Sequence, residues 1–215
     1  AVGQAAVTDW GAVVEDYYRE GCTFSPTFMG LNIQKSPIDL WRYIEVMEAT
    51  RPDVIIETGT AMGGSAWFFA EMLGLFAPCA GKVITIDAAE RHPLAREHPD
   101  INYVRGNSAD PATVGEVVSL LPPGSCRIMV SLDSDHTAAH VRAELDLWAP
   151  LVTPGCYLVV EDTSINGHPL LPDYGPGPWE ALEAWLPEHP DFTRDTEIED
   201  RHGPTIYPGG WLVRR

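Results

Sequence analysis

The feature that most constrains the fold is a regular alternation of short apolar runs with helical patterns. Strand-like runs are predicted at residues 53–57, 82–87, 101–105, 127–133 and 155–161, with a last strand at 210–213. Helices are predicted between them at residues 36–50, 67–75, 110–121, 137–148 and 178–186. Such alternation is typical of a mostly parallel sheet with helices on both faces. The chain is therefore predicted to be an α/β protein.

The first 36 residues break this pattern, and we divide the chain into a segment at 1–36 and one domain at 37–215. A helix is predicted at residues 8–20, capped by Thr8 or Asp9. The aromatic, turn-rich stretch at 21–30 is expected to cover a site. Exposed aromatic residues such as Trp10, Tyr17 and Tyr18 favour self-association, so a homo-oligomer is expected.

The charge of the chain limits the classes of partner. A formal charge of −17 disfavours nucleic acid and anionic membrane surfaces, which require basic patches. We expect a small-molecule substrate, no nucleic acid and no membrane. The four cysteines form no CxxC pair, which disfavours a structural zinc site. With neither a signal peptide nor an apolar run of membrane-spanning length, the expected location is the cytoplasm.

Acidic residues recur where the predicted strands end. Glu57, Asp87, Asp133 and Glu161 each close an apolar run. In open α/β sheets, ligands bind outside the carboxyl ends of the strands. The recurrence therefore predicts a ligand site at that edge of the sheet.

The turn after the first main strand, residues 57–65, is rich in glycine. Gly59 and Gly63 allow a close backbone approach to a ligand, and Ser65 offers a donor at a helix N-terminus. Asp87 is placed to bind a ribose diol, and Asn107 and Ser108 to meet an adenine edge. The strict GxGxxG and the GxxxxGK[ST] patterns are both absent. By themselves these residues leave open NAD, S-adenosylmethionine or a purely structural turn.

A second group of acidic residues follows two strands expected to be neighbours. Because adjacent strands lie about 5 Å apart, Asp133 should face Glu161 and Asp162. Three carboxylates this close favour a hard divalent cation, namely Mg²⁺ or alternatively Mn²⁺ or Ca²⁺. His136 lies three residues after Asp133, where it could accept the proton of a metal-bound hydroxyl.

Several nearby residues have simpler interpretations. Asp135 could cap the following helix or contact the substrate. His136 and His140 are four residues apart and could share a zinc ion, although His140 is predicted mainly as a helix-surface residue. His168 is either a substrate-pocket residue or a loop histidine.

Longer blocks of sequence resemble a known family. They are TFMG (27–30), DLW (39–41), IIETGTAMGGSAWFFA (55–70), LDSDHTAAHV (132–141), APLVTPGCYLVVEDTSINGHP (149–169), GPGPWEA (175–181) and PGGWL (208–212). Together they resemble the cephalosporin-hydroxylase/rhamnosyl-O-methyltransferase family. LDSDH and VVEDTxxNGHP are more specific than the glycine turn.

The resemblance implies a Rossmann-like class I methyltransferase fold with seven strands, S-adenosylmethionine as cofactor and a Mg²⁺ site. It implies the metal ligands Asp133, Glu161 and Asp162. The residues predicted to bind the cofactor are Glu57, Gly59, Thr60, Gly63, Ser65, Asp87, Asn107, Ser108 and Asp133. The residues predicted to contact the substrate are Met29, Asp135, His168 and Tyr174.

The expected activity is metal-dependent O-methylation of a small secondary metabolite, on a hydroxyl of a sugar or glycoside, with His136 as the base. This places the chain in natural-product or antibiotic biosynthesis. More distantly, the spacing is similar to that of catechol and caffeoyl-CoA O-methyltransferases, where a Lys stands at the position of His136. The alternatives are an NAD-dependent oxidoreductase on the same sheet and a non-catalytic S-adenosylmethionine-binding partner protein.

Overall fold

The computed structural model describes residues 9–76, 81–90, 95–124 and 126–215. Its helices are α1 (Trp10–Arg19), α2 (Pro37–Thr50), α3 (Gly64–Phe76), α4 (Pro111–Leu120), α5 (Ala138–Trp148), α6 (Pro178–Trp185) and α7 (Thr196–Asp200). Its strands are β1 (Thr27–Phe28), β2 (Leu31–Asn32), β3 (Val54–Thr58), β4 (Lys82–Asp87), β5 (Ile101–Arg105), β6 (Ile128–Leu132), β7 (Tyr157–Val160), β8 (Phe192–Arg194) and β9 (Trp211–Arg214).

Within the described residues, seven strands form one sheet in the order β5-β4-β3-β6-β7-β9-β8. The first five run parallel, and β9 and β8 pair antiparallel to their neighbours. The chain order reverses between β3 and β6, so this is the switch point at which open α/β sheets bind ligands. The predicted seven-stranded, mostly parallel sheet is confirmed.

The strands are strongly apolar because helices cover both faces of the sheet. Side chains alternate between two cores along β3: Ile55 packs with α2 and α3, whereas Val54 and Ile56 face the core that includes α5 and α6. Large aromatic residues fill both layers, including Trp148 and Trp185 on the second face.

Sequence signals at helix starts are also confirmed. Ser36 caps α2 through its hydroxyl, with Pro37 at the first helical position, and Asp110 caps α4. Asp9 caps α1, while Thr8, the other predicted cap, lies outside the described residues. The cap of α5 is Thr137 rather than Asp135, although Asp135 accepts a hydrogen bond from the Thr137 amide at 2.8 Å.

Three short elements were not predicted from the sequence: the hairpin of β1 and β2, the edge strand β8 and the short helix α7. Each is only two to five residues long, which is too short for its hydrophobic periodicity to be recognised. No helix among the described residues has both the length and the apolarity required to span a bilayer.

The hairpin packs directly on the start of α3. A side chain at Gly64 would overlap the backbone of Asn32, so the absence of one lets the two segments approach closely. This contact brings the residues after β2, including Lys35, under the carboxyl edge of the sheet. The hairpin and Lys35 are thus packed against this edge of the sheet.

Candidate active site

A cavity of about 450 Å³ opens at the carboxyl ends of the parallel strands, at the switch point of the sheet. Its wall combines polar residues of the strand-end loops with aromatic and aliphatic residues of the N-terminal segment and of residues 165–174. The lining residues are Tyr18, Thr23, Phe24, Gln34, Gly59, Ala61, Ile86, Asp87, Ala88, Asn107, Ser108, Asp133, Ser134, Asp135, His136, His140, Asp162, Ile165, Leu170, Leu171, Tyr174 and Ile206.

The glycine turn contacts the loop after β6. Gly59 has a φ of +88°, and a Cβ at this position would overlap the carbonyl oxygen of Asp133. Only glycine satisfies both requirements without strain. The turn and the loop carrying Asp133 therefore meet in the floor of one cavity.

Polar groups of three loops line one end of this cavity. The carboxylate of Asp87 accepts hydrogen bonds from the amides of Ala61 and Ala89 at 3.0 and 2.9 Å, which fixes its position beside the turn. Asn107 accepts from the Ala109 amide at 2.9 Å, and Ser108 lies next to it in the wall. Asp87, Asn107 and Ser108 are thus brought together with Gly59.

Other predicted cofactor residues lie behind the wall and support it. Glu57 is fully buried, and the Thr85 hydroxyl donates to its carboxylate at 2.7 Å. Burial raises the pKa of Glu57 to about 7, although the charge of Lys35 and the hydrogen bond from the Ser65 hydroxyl both lower it. Thr60 shares a hydrogen bond of 2.7 Å with Thr85. Gly63, Ser65 and Thr60 are not among the residues that line the main cavity.

At the other end lies a group that we call the outer cluster: His136 and Asp162, with one oxygen of Asp133. The His136 Nε2 atom is 3.3 Å from Asp133 Oδ1 and 3.2 Å from Asp162 Oδ2. One ligand atom from each of these residues lies within 4.8 Å of the others. All three side chains are between 22 and 28 % exposed, so the cluster opens to the cavity.

Beneath it lies the inner cluster: Lys35, Tyr43, Ser131 and Glu161, with the second oxygen of Asp133. The Lys35 ammonium donates to Glu161 at 2.6 and 2.7 Å and to Asp133 Oδ2 at 2.8 Å. The hydroxyls of Tyr43 and Ser131 each lie 2.6 Å from Glu161 Oε1. Lys35 and Glu161 are only 1 % exposed, so this cluster is closed to solvent.

The two clusters perturb each other's protonation through Asp133. Burial alone would raise the pKa of Asp133, but Lys35 and His136 hold it below its usual value. Burial alone would lower the pKa of His136, but the hydrogen bond to Asp133 and the charges of Asp162, Asp133 and Glu161 raise it to about 9. Burial and the charge of Asp133 raise the pKa of Glu161 to about 7 despite Lys35.

The predicted metal ligands are distributed over both clusters. Asp133 contributes an oxygen to each cluster, Asp162 belongs to the outer one, and the Glu161 carboxylate faces Lys35. Asp162 adopts a φ of +52°, which an Asp tolerates better than most residues. Carboxylate oxygens of Asp133 and Asp162 lie within 4.8 Å of each other, and such hard donors fit a divalent cation.

The predicted substrate residues are divided by the structure. Asp135 and Tyr174 line the cavity. Met29 is 59 % exposed on the hairpin turn and is not among the lining residues. His168 also lies outside the lining, where its ring stacks on Trp179 and its Nε2 is 3.0 Å from Glu180.

Sequence reasoning missed residues that reach the site from a distance. His140 was predicted on the helix surface, but it lines the cavity and its Nε2 lies 3.0 and 3.1 Å from the hydroxyls of Ser108 and Ser134. Lys35 and Tyr43 were not recognised either. One available signal was composition, because Lys35 is one of only two lysines in a strongly acidic chain.

Comparison with known proteins adds independent information. The family described as Rhamnosyl O-methyltransferase/CmcI matches residues 20–215. A rhamnosyl O-methyltransferase of Mycobacterium tuberculosis (strain ATCC 25618 / H37Rv) is 42 % identical over 210 residues, which cover 94 % of this chain and 85 % of that protein.

Solved structures share the fold at lower identity. A CmcI structure described with Mg and SAM has a TM-score of 0.68 and 19 % identity, covering 89 % of this chain and 77 % of its own. An O-methyltransferase from Bacillus cereus in complex with SAH has a TM-score of 0.56 and 15 % identity, covering 88 % and 84 %. At these identities, the likeness supports the class I methyltransferase fold.

Proposed function

The chain belongs to the Rhamnosyl O-methyltransferase/CmcI family and is an O-methyltransferase, and on this premise we propose that it transfers the methyl group of S-adenosylmethionine to a sugar hydroxyl with the help of Mg²⁺. The observation that carries the proposal is that Asp133 joins the glycine turn to the outer cluster within one cavity. A methyl donor at one end would face an acceptor hydroxyl at the other.

The cofactor end of the cavity supports the first part of the proposal. Gly59 permits a close approach of the ligand to the backbone, Asp87 offers carboxylate oxygens to a ribose diol, and Asn107 and Ser108 offer polar groups to a base edge. Glu57, Thr60, Gly63 and Ser65 complete the cofactor residues that we propose, by holding the turn in shape from behind. S-adenosylmethionine supplies an electrophilic methyl group to this site.

We assign the divalent cation to Asp133 and Asp162, with Glu161 as the third carboxylate. Oxygen ligands favour Mg²⁺, and Mn²⁺ or Ca²⁺ would also suit them. The bound ion would act as a Lewis acid and lower the pKa of an acceptor hydroxyl. The carboxylates fix this chemistry at the end of the cavity opposite Asp87, so the acceptor is oriented between the two ends.

His136 is the proposed general base. Its Nε2 is held beside both Asp133 and Asp162, and the side chain opens to the cavity. There it can accept the proton of an acceptor hydroxyl while the oxygen attacks the methyl carbon and the methyl–sulfur bond breaks. No covalent enzyme intermediate is needed, so the main contribution of the protein is to position the two reactants.

The acceptor end of the cavity fits a sugar-bearing small molecule. Tyr18, Phe24 and Tyr174 present aromatic surface, and Asp135 adds a polar group that can accept from hydroxyls. The mycobacterial relative carries the name rhamnosyl O-methyltransferase, which makes a rhamnosyl hydroxyl the first acceptor to test. The proposed acceptor class is thus a glycoside of a natural product.

The test combines binding with turnover. Calorimetry of the metal-free protein with S-adenosylmethionine, and with NAD as the control ligand, measures cofactor choice. Transfer of a labelled methyl group is then measured on a panel of rhamnosides, other glycosides and catechols, with Mg²⁺ or with chelator. We expect the protein to bind S-adenosylmethionine and not NAD. We expect methyl transfer to a glycoside, which stops when the metal is chelated and returns when Mg²⁺ is added.

Different failures point to different parts of the proposal. Transfer to catechols but to no glycoside would overturn the acceptor class. Activity unchanged by chelation and metal-free dialysis would remove the metal from the mechanism. Binding of NAD in place of S-adenosylmethionine would overturn the cofactor assignment.

A further inference from the structure

Lys35 is a buried cation that lies among the carboxylates proposed to bind the metal. Its ammonium has three hydrogen-bonded contacts, two with Glu161 and one with Asp133, at 2.6 to 2.8 Å. The side chain is fully buried, and it comes from the segment between the hairpin and α2, far from its partners in sequence. Burying a lysine this deeply is costly unless its charge is compensated.

The charges of the two clusters balance only in part. Asp133, Glu161 and Asp162 carry three negative charges, and Lys35 supplies one positive charge. When His136 gives up its proton, as it must to act as a base, two negative charges remain, which is the charge that a divalent cation would offset. Lys35 and the metal would therefore share one set of carboxylates, and Asp133 would touch both.

We propose that Lys35 is a resident cation that keeps the carboxylate cluster assembled without metal and, by its charge, weakens the binding of the divalent ion. The inference rests on the proposed metal site and concerns how that site is tuned. Lys35 is a positioning residue: it acts on the metal site through Glu161 and Asp133.

Two consequences follow from Coulomb's law. Because Lys35 lies 2.8 Å from one oxygen of a proposed metal ligand, it repels a divalent ion bound to that carboxylate. Removing its charge should strengthen metal binding. Removing it also leaves buried Glu161 without its counter-ion, so the fold should become dependent on metal.

The experiment compares Lys35→Met with Lys82→Met, the same substitution at the only other lysine of the chain. Lys82 is a surface residue paired with Asp100, on the strand end away from the cavity. Mn²⁺ binding is measured by calorimetry and by the electron paramagnetic resonance signal of free Mn²⁺. Thermal unfolding is followed with and without Mn²⁺.

We expect Lys35→Met to bind Mn²⁺ at least about tenfold more tightly than wild type, and its melting temperature to rise with Mn²⁺ far more than that of wild type. Lys82→Met should match wild type in both measurements. Unchanged or weaker Mn²⁺ binding in Lys35→Met overturns the proposal. The direction is diagnostic, because a merely structural lysine would weaken the site when lost.

A variant that folds only with Mn²⁺ supports the proposal. If Lys35→Met does not fold under either condition, lysine side-chain NMR of the wild type decides: Mg²⁺ must shift the Lys35 signal and leave that of Lys82 unchanged. A Lys35 signal unaffected by bound Mg²⁺ overturns the inference. Absence of Mn²⁺ binding in every protein indicates instead that the proposed metal site itself is wrong.

Discussion

The inner and outer clusters share Asp133 but differ in two ways: how exposed their side chains are to solvent, and how fully their polar groups are hydrogen-bonded to protein partners. In the inner cluster, the Lys35 ammonium donates to the Glu161 carboxylate, which also accepts from the hydroxyls of Tyr43 and Ser131, out of contact with solvent. In the outer cluster, His136 and Asp162 are about a quarter exposed and face the cavity. A buried polar group whose hydrogen bonds are all made within the protein stabilises the fold, whereas a partly exposed group can still bind a ligand. The difference predicts that loss of a hydroxyl from the inner cluster acts mainly on stability, and that substitutions in the outer cluster act mainly on activity and metal binding.

The largest effect is expected from His136→Ala in the outer cluster. Loss of the proposed general base should reduce turnover by roughly 10²- to 10⁴-fold, because proton removal then falls to water. The change is measured with labelled S-adenosylmethionine at saturating Mg²⁺. His189→Ala is the matched control, since His189 stacks on Trp185 away from the cavity. Full turnover by His136→Ala with cofactor binding intact would remove the base assignment.

The next largest effect is expected on the pKa of His136 in the metal-free protein. Its midpoint is expected near 9, well above the usual 6.5, because Asp133 and Asp162 favour the protonated ring. The folded-state pKa is raised, so this contribution to stability is complete below about pH 6.5 and is lost as the pH rises through about 9. Histidine NMR with and without Mg²⁺ measures it, and Mg²⁺ should lower the midpoint. A metal-free midpoint near 6.5 would contradict the described geometry.

A smaller effect is expected from Tyr43→Phe in the inner cluster. The substitution keeps the ring and removes the hydroxyl beside Glu161, at 2.6 Å. The free energy of unfolding should fall by about 1.5–3 kcal/mol, the range for a hydrogen bond to a charged group. Tyr17→Phe is the control, because its hydroxyl donates to the Cys22 carbonyl at 3.3 Å outside the cluster. The free energy of unfolding is measured by urea denaturation. If Tyr43→Phe and Tyr17→Phe lose the same amount, the hydrogen bond in the inner cluster does not stabilise the fold more than an ordinary one.

The smallest change in stability is expected from Asp162→Asn in the outer cluster. Asn tolerates the positive φ of this position, and the carboxylate that it replaces is partly exposed. The free energy of unfolding should change by less than about 1 kcal/mol, while Mn²⁺ binding should be lost. Denaturation and calorimetry on one preparation test both statements. A loss of stability as large as that of Tyr43→Phe would erase the distinction between the clusters.

Much of the site could be predicted because its residues are local to strand ends. Asp87, Asp133 and Glu161 follow recognisable apolar runs, and a parallel sheet aligns such ends on one edge. The exposed Met29 and the stacked His168 were harder to place, because loop conformation depends on packing rather than on periodicity. His140 was mistaken for a surface residue because its helix buries a polar network on the side expected to face solvent.

By itself, the sequence determined the order of strands and helices, the edge of the sheet that carries the site, and the carboxylates gathered there. These properties depend on periodicity and on the direction of parallel strands, which are set within a few residues. Only the tertiary structure decided which charges meet. Lys35 contacts Asp133 across 98 residues and Glu161 across 126, and no local pattern encodes a contact over such a distance. The division of one acidic group into a closed inner and an open outer cluster is therefore a property of packing.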